Sequence, residues 1–150
     1  MDTIQIYTDG GCSGNPGPGA WAYIIIDGEN RLQDSGSAPA TTNNRMELRA
    51  VIEALKRIGG EAAAGGRELE IYTDSRYVQQ GISDWILRWE QNGWRTRAKK
   101  PVKNRELWQE LRSLSRDLKV TWHWLAGHAG HCLNEECDRL VGEAMRRAGE

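Results

Sequence analysis

The chain has 150 residues, of which 39% are hydrophobic and 27% are charged, and its formal net charge is −1. This length and composition indicate one globular domain, residues 1–150, and no apolar run is long enough to cross a bilayer. The N-terminus lacks the basic region and apolar stretch of a secretory signal, and three cysteines without a framework spacing favour a reduced cytoplasm. We therefore expect a cytoplasmic protein, and a monomer because the sequence shows no oligomer interface.

The first half of the chain predicts three strands, a helix and a fourth strand. Runs rich in β-formers place strands at residues 3–9, 20–26 and 31–38, with Asp27-Gly28 as a hairpin signal. An apolar stripe predicts a helix from about Asn44 to Ile58, and Gly59-Gly60 is expected to end it. Residues 59–66 then form a loose loop, and residues 67–73 form the fourth strand.

The second half predicts mainly helices around one more strand. A short helix is expected from Ser75 to Gly81 and another around residues 84–91, capped by Ser83. The remaining elements are an exposed basic stretch at 95–103, a helix at 104–115, a strand at 118–125 and a last helix at about 133–148. The order βββαβα(αα)βα predicts an α/β domain with a five-stranded mixed sheet flanked by helices.

The charges are segregated along the chain. Between Arg88 and Arg105 there are seven basic residues and one acidic residue, a net +6, which leaves −7 for the rest of the chain. Such segregation suggests one face for phosphates and another for cations.

Four residues occur twice: Ile6-Tyr7-Thr8-Asp9 returns as Ile71-Tyr72-Thr73-Asp74. In the predicted order of elements these two strands lie side by side and parallel, so both aspartates reach the edge of the sheet where ligands bind. Glu47, in the first turn of the first helix, and Asp138, early in the last helix, can point to the same place. Four clustered carboxylates raise one another's pKa values unless cations compensate, and Mg²⁺ takes such oxygen ligands.

Each of these acids also has a structural interpretation. Asp9 fits a turn residue, and Asp74 fits a helix N-cap. Glu47 fits the positive end of a helix dipole, and Asp138 fits a solvated helix face. Taken singly, a structural role is favoured for each acid. Taken together, the four favour a site for two metal ions about 3.5–4 Å apart, which clamp the attacking and leaving oxygens of a phosphodiester.

Four motifs surround these acids and occur in a fixed order. They are Thr8-Asp9-Gly10-Gly11, Thr41-Thr42-Asn43-Asn44-Arg45-Met46-Glu47-Leu48, Thr73-Asp74-Ser75, and Gly127-His128-Ala129-Gly130-His131 followed by Asn134-Glu135-Glu136-Cys137-Asp138. As a set, covering nearly the whole chain, they resemble ribonuclease H of type I. The resemblance implies a ribonuclease H-like fold and an endonuclease that cleaves the RNA strand of an RNA–DNA hybrid. It also implies Mg²⁺ as cofactor, with Mn²⁺ as a substitute, and products with 3′-hydroxyl and 5′-phosphate ends.

The resemblance assigns catalytic roles to five residues. Asp9, Glu47, Asp74 and Asp138 would hold the two metal ions, one ion activating the water and the other stabilising the leaving 3′-oxygen. His128 matches a loop histidine of the family that is thought to help proton transfer or product departure. An imidazole that titrates near neutral pH suits that role, and a plain surface histidine is the alternative.

The resemblance also indicates how the hybrid is read. RNA is told from DNA chiefly by its 2′-hydroxyl, across a shallow minor groove, and short amides both donate and accept hydrogen bonds there. The matching amides are Asn15, Asn43 and Asn44, which also fit a turn residue and helix caps. Arg76 stands where the family often has glutamine, and a guanidinium only donates.

Two regions are implied to contact the DNA strand. Thr42 and Asn104 match a pocket for a DNA-strand phosphate, but Ala40 replaces its usual basic residue, so we expect a pocket of weaker charge. The segment of about 84–105, called here the basic handle, is implied to grip the DNA strand. Its implied substrate contacts are Trp85, which would stack on a sugar, and Lys99, Lys100 and Lys103.

Two other classes of function remain open. His128, His131, Cys132 and Cys137 are clustered and are zinc-binding residue types, although their spacing is unusual and Cys137 falls on an apolar helix stripe. A catalytically silent domain that only binds hybrids is the other class. All four acids and the histidine are present, so nothing in the sequence supports inactivation.

Overall fold

The computed structural model describes residues 3–126 and 132–149. In this part of the chain a five-stranded sheet has the strand order β3-β2-β1-β4-β5. The strands are β1 (Thr3–Cys12), β2 (Gly17–Asp27), β3 (Asn30–Thr41), β4 (Glu68–Thr73) and β5 (Lys119–Trp124). β1, β2 and β3 pair antiparallel, whereas β4 runs parallel to β1 and β5 runs parallel to β4. The predicted mixed α/β sheet is therefore confirmed.

The helices cover both faces of the sheet. They are α1 (Asn43–Gly65), α2 (Arg76–Gln80), α3 (Ile86–Asn92), α4 (Arg105–Ser115) and α5 (Cys132–Ala148). α1 packs on β1 and β2 and also contacts α4, while α5 contacts the three antiparallel strands. Among the described residues, no helix is both long enough and apolar enough to cross a membrane.

The larger hydrophobic core lies between the sheet and α1. It contains Ile4 and Ile6 of β1, Leu69 and Ile71 of β4, and the fully buried Trp108 of α4. A smaller cluster on α5 packs against two alanines of β2. The end of β1 that carries Asp9 is thus supported by helices from two sides, which gives a functional site there a rigid base.

α1 is longer than the sequence predicts. Gly59-Gly60 does not end it, and the helix continues to Gly65 and is capped by Gly66, whose φ of 64° lies in the left-handed region. A helical glycine costs about 1 kcal/mol relative to alanine, but the residues that follow are strong helix formers and Ala62 is fully buried. Packing of the last turns therefore overrides the two glycines, and the predicted loop at 59–66 is wrong.

The predicted break between two helices at Gly81 and Ser83 is also wrong. A π-helical turn, Gly81–Trp85, joins α2 directly to α3. A Cβ at Gly81 would lie 2.0 Å from the ring of Trp108, so the glycine permits close packing of this turn on α4. The helix predicted around residues 84–91 ends close to its expected position, because α3 ends at Asn92 and Gly93 has a φ of 76°.

Candidate active site

The repeated tetrapeptide is brought into register by β1 and β4. Ile6 pairs with Ile71 and Tyr7 pairs with Tyr72. Asp9 and Asp74 therefore occupy equivalent positions, two residues beyond this last parallel pair. β1 itself continues through Asp9 to Cys12 because it stays paired with β2. Asp9 is a strand residue, so its interpretation as a turn residue is wrong.

The N-cap interpretation of Asp74 is wrong as well. The residue that caps α2 is Ser75, whose hydroxyl accepts a hydrogen bond from the backbone N–H of Val78 at 3.2 Å. Asp74 lies between this cap and the end of β4, so α2 does not need its carboxylate as a cap. The carboxylate of Asp74 is therefore present in addition to Ser75, which already caps α2.

Glu47 is delivered by α1, in its second turn rather than the predicted first. Thr42 caps this helix, since its hydroxyl accepts from the N–H of Arg45 at 3.2 Å. A Cβ at Gly10 would lie 2.4 Å from the backbone carbon of Met46 and 2.5 Å from the nitrogen of Glu47. Only a glycine lets β1 approach α1 this closely, and the approach places Glu47 beside Asp9.

Three carboxylates meet at this point. Ligand oxygens of Asp9, Glu47 and Asp74 all lie within 4.8 Å of one another. Asp9 is only 6% exposed. Oε1 of Glu47 is buried and has no hydrogen-bond partner among the described residues. A buried acceptor left without a partner is costly, so this donor set fits hard cations bound by oxygen, as Mg²⁺ is.

The electrostatics of the cluster favour a proton or a cation. Burial, followed by the charges of Asp74 and Asp138, raises the pKa of Asp9 to about 8, although the N–H of Gly10 opposes the shift. Burial, followed by the charges of Asp9 and Asp74, raises the pKa of Glu47 well above its ordinary value. Like charges in a low-dielectric site cannot all ionise without compensation. A bound divalent ion would provide that compensation.

Asp138 lies at the rim of the cluster. Its side chain is exposed on α5, and it is not one of the three acids whose ligand oxygens lie within 4.8 Å of one another. Its charge and a hydrogen bond to Asp9 nevertheless contribute to the raised pKa of Asp9. The structure therefore brings it next to Asp9, as the sequence predicts. His128 lies outside the described residues, and its predicted place at the site stays a prediction.

The cysteines do not favour a zinc site. Cys137 is buried, and its thiol donates to the backbone oxygen of Tyr7 at 3.3 Å. Burial raises the pKa of this thiol, whereas zinc binds the thiolate. Cys132 is exposed, and both histidines of the zinc hypothesis lie outside the described residues. Within the described ranges the candidate metal ligands form one group, and all three are carboxylates.

The predicted hybrid-reading amides lie where the loop after β1 meets the start of α1. The backbone N–H of Asn43 donates to Oδ1 of Asn15 at 3.2 Å. Asn15, Asn43 and Asn44 are all exposed. Because Thr42 is the N-cap of α1, the helix-cap interpretation of Asn43 and Asn44 is wrong. Asn43 and Asn44 are exposed and lie four and three residues before Glu47 in α1, a spacing that places all three on one face of the helix.

Thr42 and Asn104 are connected by a residue to which the sequence patterns assign no role. The backbone of Arg45 donates to Thr42, and its Nη1 donates to Oδ1 of Asn104 at 3.1 Å and to Glu106 at 2.5 Å. Arg45 thus places a cation between the two residues of the predicted phosphate pocket, where position 40 has none, and Glu106 offsets part of its charge. Its position in the Thr41–Leu48 motif is the sequence signal that could have indicated a role for Arg45. Its partners Asn104 and Glu106 are distant in the chain, so local patterns do not reveal the contact.

The basic handle combines an aromatic base with an exposed basic loop. Trp89 is central, with ring centroids 5.9 Å from Trp85, 5.9 Å from Trp94 and 5.7 Å from Trp108. The loop that follows closes on itself, since the N–H of Thr96 donates to the oxygen of Lys100 at 2.8 Å. A cavity of about 340 Å³ lies between the helix and the loop, and its lining includes Arg88, Arg95 and Arg97.

The side chains predicted to bind substrate from this segment are accessible. Lys99, Lys100 and Lys103 are exposed and Trp85 is partly exposed. Trp85 also packs edge-on against Tyr77, with ring centroids 5.7 Å apart. Trp85 therefore has a packing role in addition to any contact with substrate, and the cavity that it lines also contains Arg88, Arg95 and Arg97.

Proteins of similar sequence belong to the family that the motifs of this chain resemble. The sequence model of the RNase H family matches residues 1–146. A ribonuclease H of Treponema denticola is 53% identical over 156 residues, covering 96% of this chain and 98% of the relative. A ribonuclease H of Bradyrhizobium is 51% identical over 149 residues, covering 98% of this chain and 94% of the relative.

Solved structures show the same fold. LC9-RNase H1, described as a type 1 RNase H with the type 2 active-site motif, superimposes with a TM-score of 0.83 at 34% identity, covering 98% of this chain and 74% of that chain. LC11-RNase H1, solved in complex with an RNA/DNA hybrid, has a TM-score of 0.72 at 27% identity. The match covers 98% of this chain and 99% of that chain. With its fold, its carboxylate cluster and these relatives in agreement, this chain belongs to the ribonuclease H family.

Proposed function

We propose that Asp9, Glu47, Asp74 and Asp138 hold two Mg²⁺ ions for the hydrolysis of the RNA strand of an RNA–DNA hybrid, the reaction of the family to which this chain belongs. The observation that carries the proposal is the convergence of three carboxylates within 4.8 Å at the ends of β1 and β4. Two such ions supply Lewis-acid activation of a water and stabilisation of the leaving 3′-oxygen. The products carry 3′-hydroxyl and 5′-phosphate ends, and Mn²⁺ is a possible substitute.

The protein's contribution is a preorganised set of charges. The parallel register of β1 and β4 fixes Asp9 and Asp74, and the close contact at Gly10 fixes Glu47. Because the backbone sets these positions before substrate arrives, little reorganisation is needed when charge develops on the phosphate. Asp138 completes the negative charge from α5, and His128, which precedes that helix in the sequence, serves proton transfer or product departure.

The exposed amides explain a preference for hybrids. Asn15, Asn43 and Asn44 lie together at the surface near Glu47, where they can donate to and accept from 2′-hydroxyl groups of one strand. The DNA strand binds on the other side. Thr42 and Asn104, joined by Arg45, receive one phosphate, and the basic handle with Trp85, Lys99, Lys100 and Lys103 receives others.

The remaining expectations concern the oligomeric state of the protein and its location in the cell. All three cysteines are free thiols, which supports a reducing compartment, and we propose a cytoplasmic location. We also propose that the protein acts as a monomer. In this arrangement one chain supplies the carboxylate cluster, the amides and the basic handle.

A cleavage assay on three substrates tests the proposal. Wild-type protein is incubated with Mg²⁺ and an RNA–DNA hybrid, a duplex RNA or a duplex DNA of the same sequence. We expect cleavage of the RNA strand of the hybrid, loss of activity with chelator, and little cleavage of the other two duplexes. Equal cleavage of duplex RNA would contradict the reading of the hybrid by the asparagines.

A further inference from the structure

Trp124 lies beside the carboxylate cluster and is 40% exposed. It is the last residue of β5 and pairs with Thr73 of β4, directly before Asp74. Its indole Nε1–H donates to the backbone oxygen of Asp74 at 3.2 Å. The backbone pairing and this hydrogen bond together fix the indole next to one of the three clustered acids.

Arg76 uses this indole as a support. Its guanidinium carbon lies over the Trp124 ring, 5.2 Å from the centroid. Arg76 begins α2, two residues after Asp74, and is exposed. A cation–π contact restricts a side chain that would otherwise sample many rotamers. Because a guanidinium has five N–H donors, its contact with the ring leaves donors available for a ligand.

We propose that Trp124 is a positioning residue, which holds Arg76 as a fixed, donor-only contact to the RNA strand beside Asp74. The inference rests on the proposed function. An RNA strand whose scissile phosphate reaches the acids passes within reach of a long side chain that starts two residues from Asp74. The partner of Arg76 is a hydrogen-bond acceptor: either a phosphate oxygen or an acceptor on the minor-groove edge of a base.

The two sources of that acceptor have different consequences. In the minor groove every base offers an acceptor, and guanine alone adds an amino donor. That amino group and the guanidinium of Arg76 are both hydrogen-bond donors and cannot pair. A contact to a base would therefore disfavour guanine at one position of the RNA. Inosine lacks the amino group and removes the conflict. A phosphate contact is indifferent to the base and adds to the salt dependence of binding.

Steady-state kinetics on one hybrid test the positioning role. Trp124→Leu removes the ring, and we expect KM to rise about 2- to 5-fold with kcat within about two-fold of wild type. Trp124→Phe keeps a ring without the N–H and should restore a KM near wild type. Arg76→Gln should raise KM as Trp124→Leu does, and the double variant should be no worse than Arg76→Gln alone.

Controls keep this test decisive. Lys119→Gln removes an exposed cation from the other end of β5 and should leave KM unchanged. Thermal unfolding checks every variant. If Trp124→Leu does not fold, Arg76→Lys carries the test, because it keeps the charge without the planar guanidinium and should raise KM similarly. An unchanged KM in Trp124→Leu, or effects of Trp124→Leu and Arg76→Gln that multiply, would overturn the proposal.

Hybrids with guanosine or inosine at each RNA position around the cleavage site identify the acceptor. For a base contact, wild-type protein cleaves the inosine substrate faster at one position, and Arg76→Gln and Trp124→Leu both reduce that preference. For a phosphate contact, no base preference appears and Arg76→Gln lowers the salt slope by about 0.9. Absence of both effects overturns the proposal, whereas failure of wild-type protein to cleave any hybrid overturns the proposed function instead.

Discussion

The carboxylate cluster and the basic handle differ in how buried their side chains are and in how tightly the fold constrains them. Asp9 is 6% exposed and is held by strand register and by the contact at Gly10. Lys99 and Lys100 are exposed, and their loop is held by backbone hydrogen bonds and by the side chains of Arg95 and Thr96. The first region depends on exact geometry and the second on charge. Variants of the first should therefore lower kcat, and variants of the second should raise KM and alter the salt dependence.

The largest expected effect comes from removing one charge from the cluster. Asp9→Asn and Asp74→Asn keep the shape of the side chain but lose an ionic metal ligand. We expect kcat to fall by about 10³-fold or more at saturating hybrid and Mg²⁺. Asp117→Asn, an exposed acid in the turn before β5, is the matched control and should retain wild-type kcat. Full activity in either cluster variant would show that chemistry occurs elsewhere.

A second effect tests geometry without changing any charge. In Gly10→Ala the new Cβ would lie 2.4 Å from the backbone of Met46, so α1 must move and carry Glu47 away from Asp9. We expect kcat to fall by about 10- to 100-fold, since a small misplacement of a reacting group is costly. Gly60→Ala, whose Cβ meets nothing within 4 Å, is the control and should keep full activity.

The outcome for Gly10 would also show why sequence patterns predict this site only in part. The order of elements predicts that the two strands of the repeated tetrapeptide are parallel and carry two acids to one edge, and the pairing of β1 with β4 confirms the parallel strands. The demand for glycine at position 10 comes from a backbone of α1 that lies 36 residues away in the chain, and no local pattern carries that information. Arg45 was missed for the same reason, because its partners lie on α4.

The fold shows the same division between local and long-range information. Element types and order follow from local periodicity, whereas helix ends depend on what the last turn packs against. Gly59-Gly60 is a strong local stop, yet burial of Ala62 carries α1 onward to Gly65. Gly81 predicts the end of a helix, but the helical backbone continues through it, and the missing side chain leaves room for the ring of Trp108. Glycine signals are therefore ambiguous until the packing partner is known.

The third prediction concerns the stability of metal-free protein. The pKa of Asp9 is raised from 3.8 to about 8, so between these pH values the folded state binds its proton more tightly than the unfolded chain does. Stability from this group therefore falls as pH rises through that window. We expect Asp9→Asn to increase the free energy of unfolding at pH 8, relative to wild type, by roughly 1–3 kcal/mol, with little difference at pH 4.

Denaturant unfolding of both proteins in chelator, across pH 4 to 9, provides the measurement. Adding Mg²⁺ should stabilise wild type more than the variant, since ions bound by the folded state compensate the repulsion. Parallel stability curves for the two proteins would mean that the cluster carries no electrostatic strain.

Of the effects expected from comparing these two regions, the smallest belongs to the handle. Lys99→Gln combined with Lys100→Gln removes two exposed cations, and we expect KM to rise about 3- to 10-fold with kcat within about two-fold. The salt slope of binding should fall by up to about 1.8, because each phosphate that is no longer neutralised lowers it by about 0.9. Lys56→Gln combined with Lys119→Gln removes two exposed cations outside the handle and should change neither quantity. A fall in kcat at saturating hybrid would mean that the handle also shapes the reacting geometry, and the separation between the two regions would not hold.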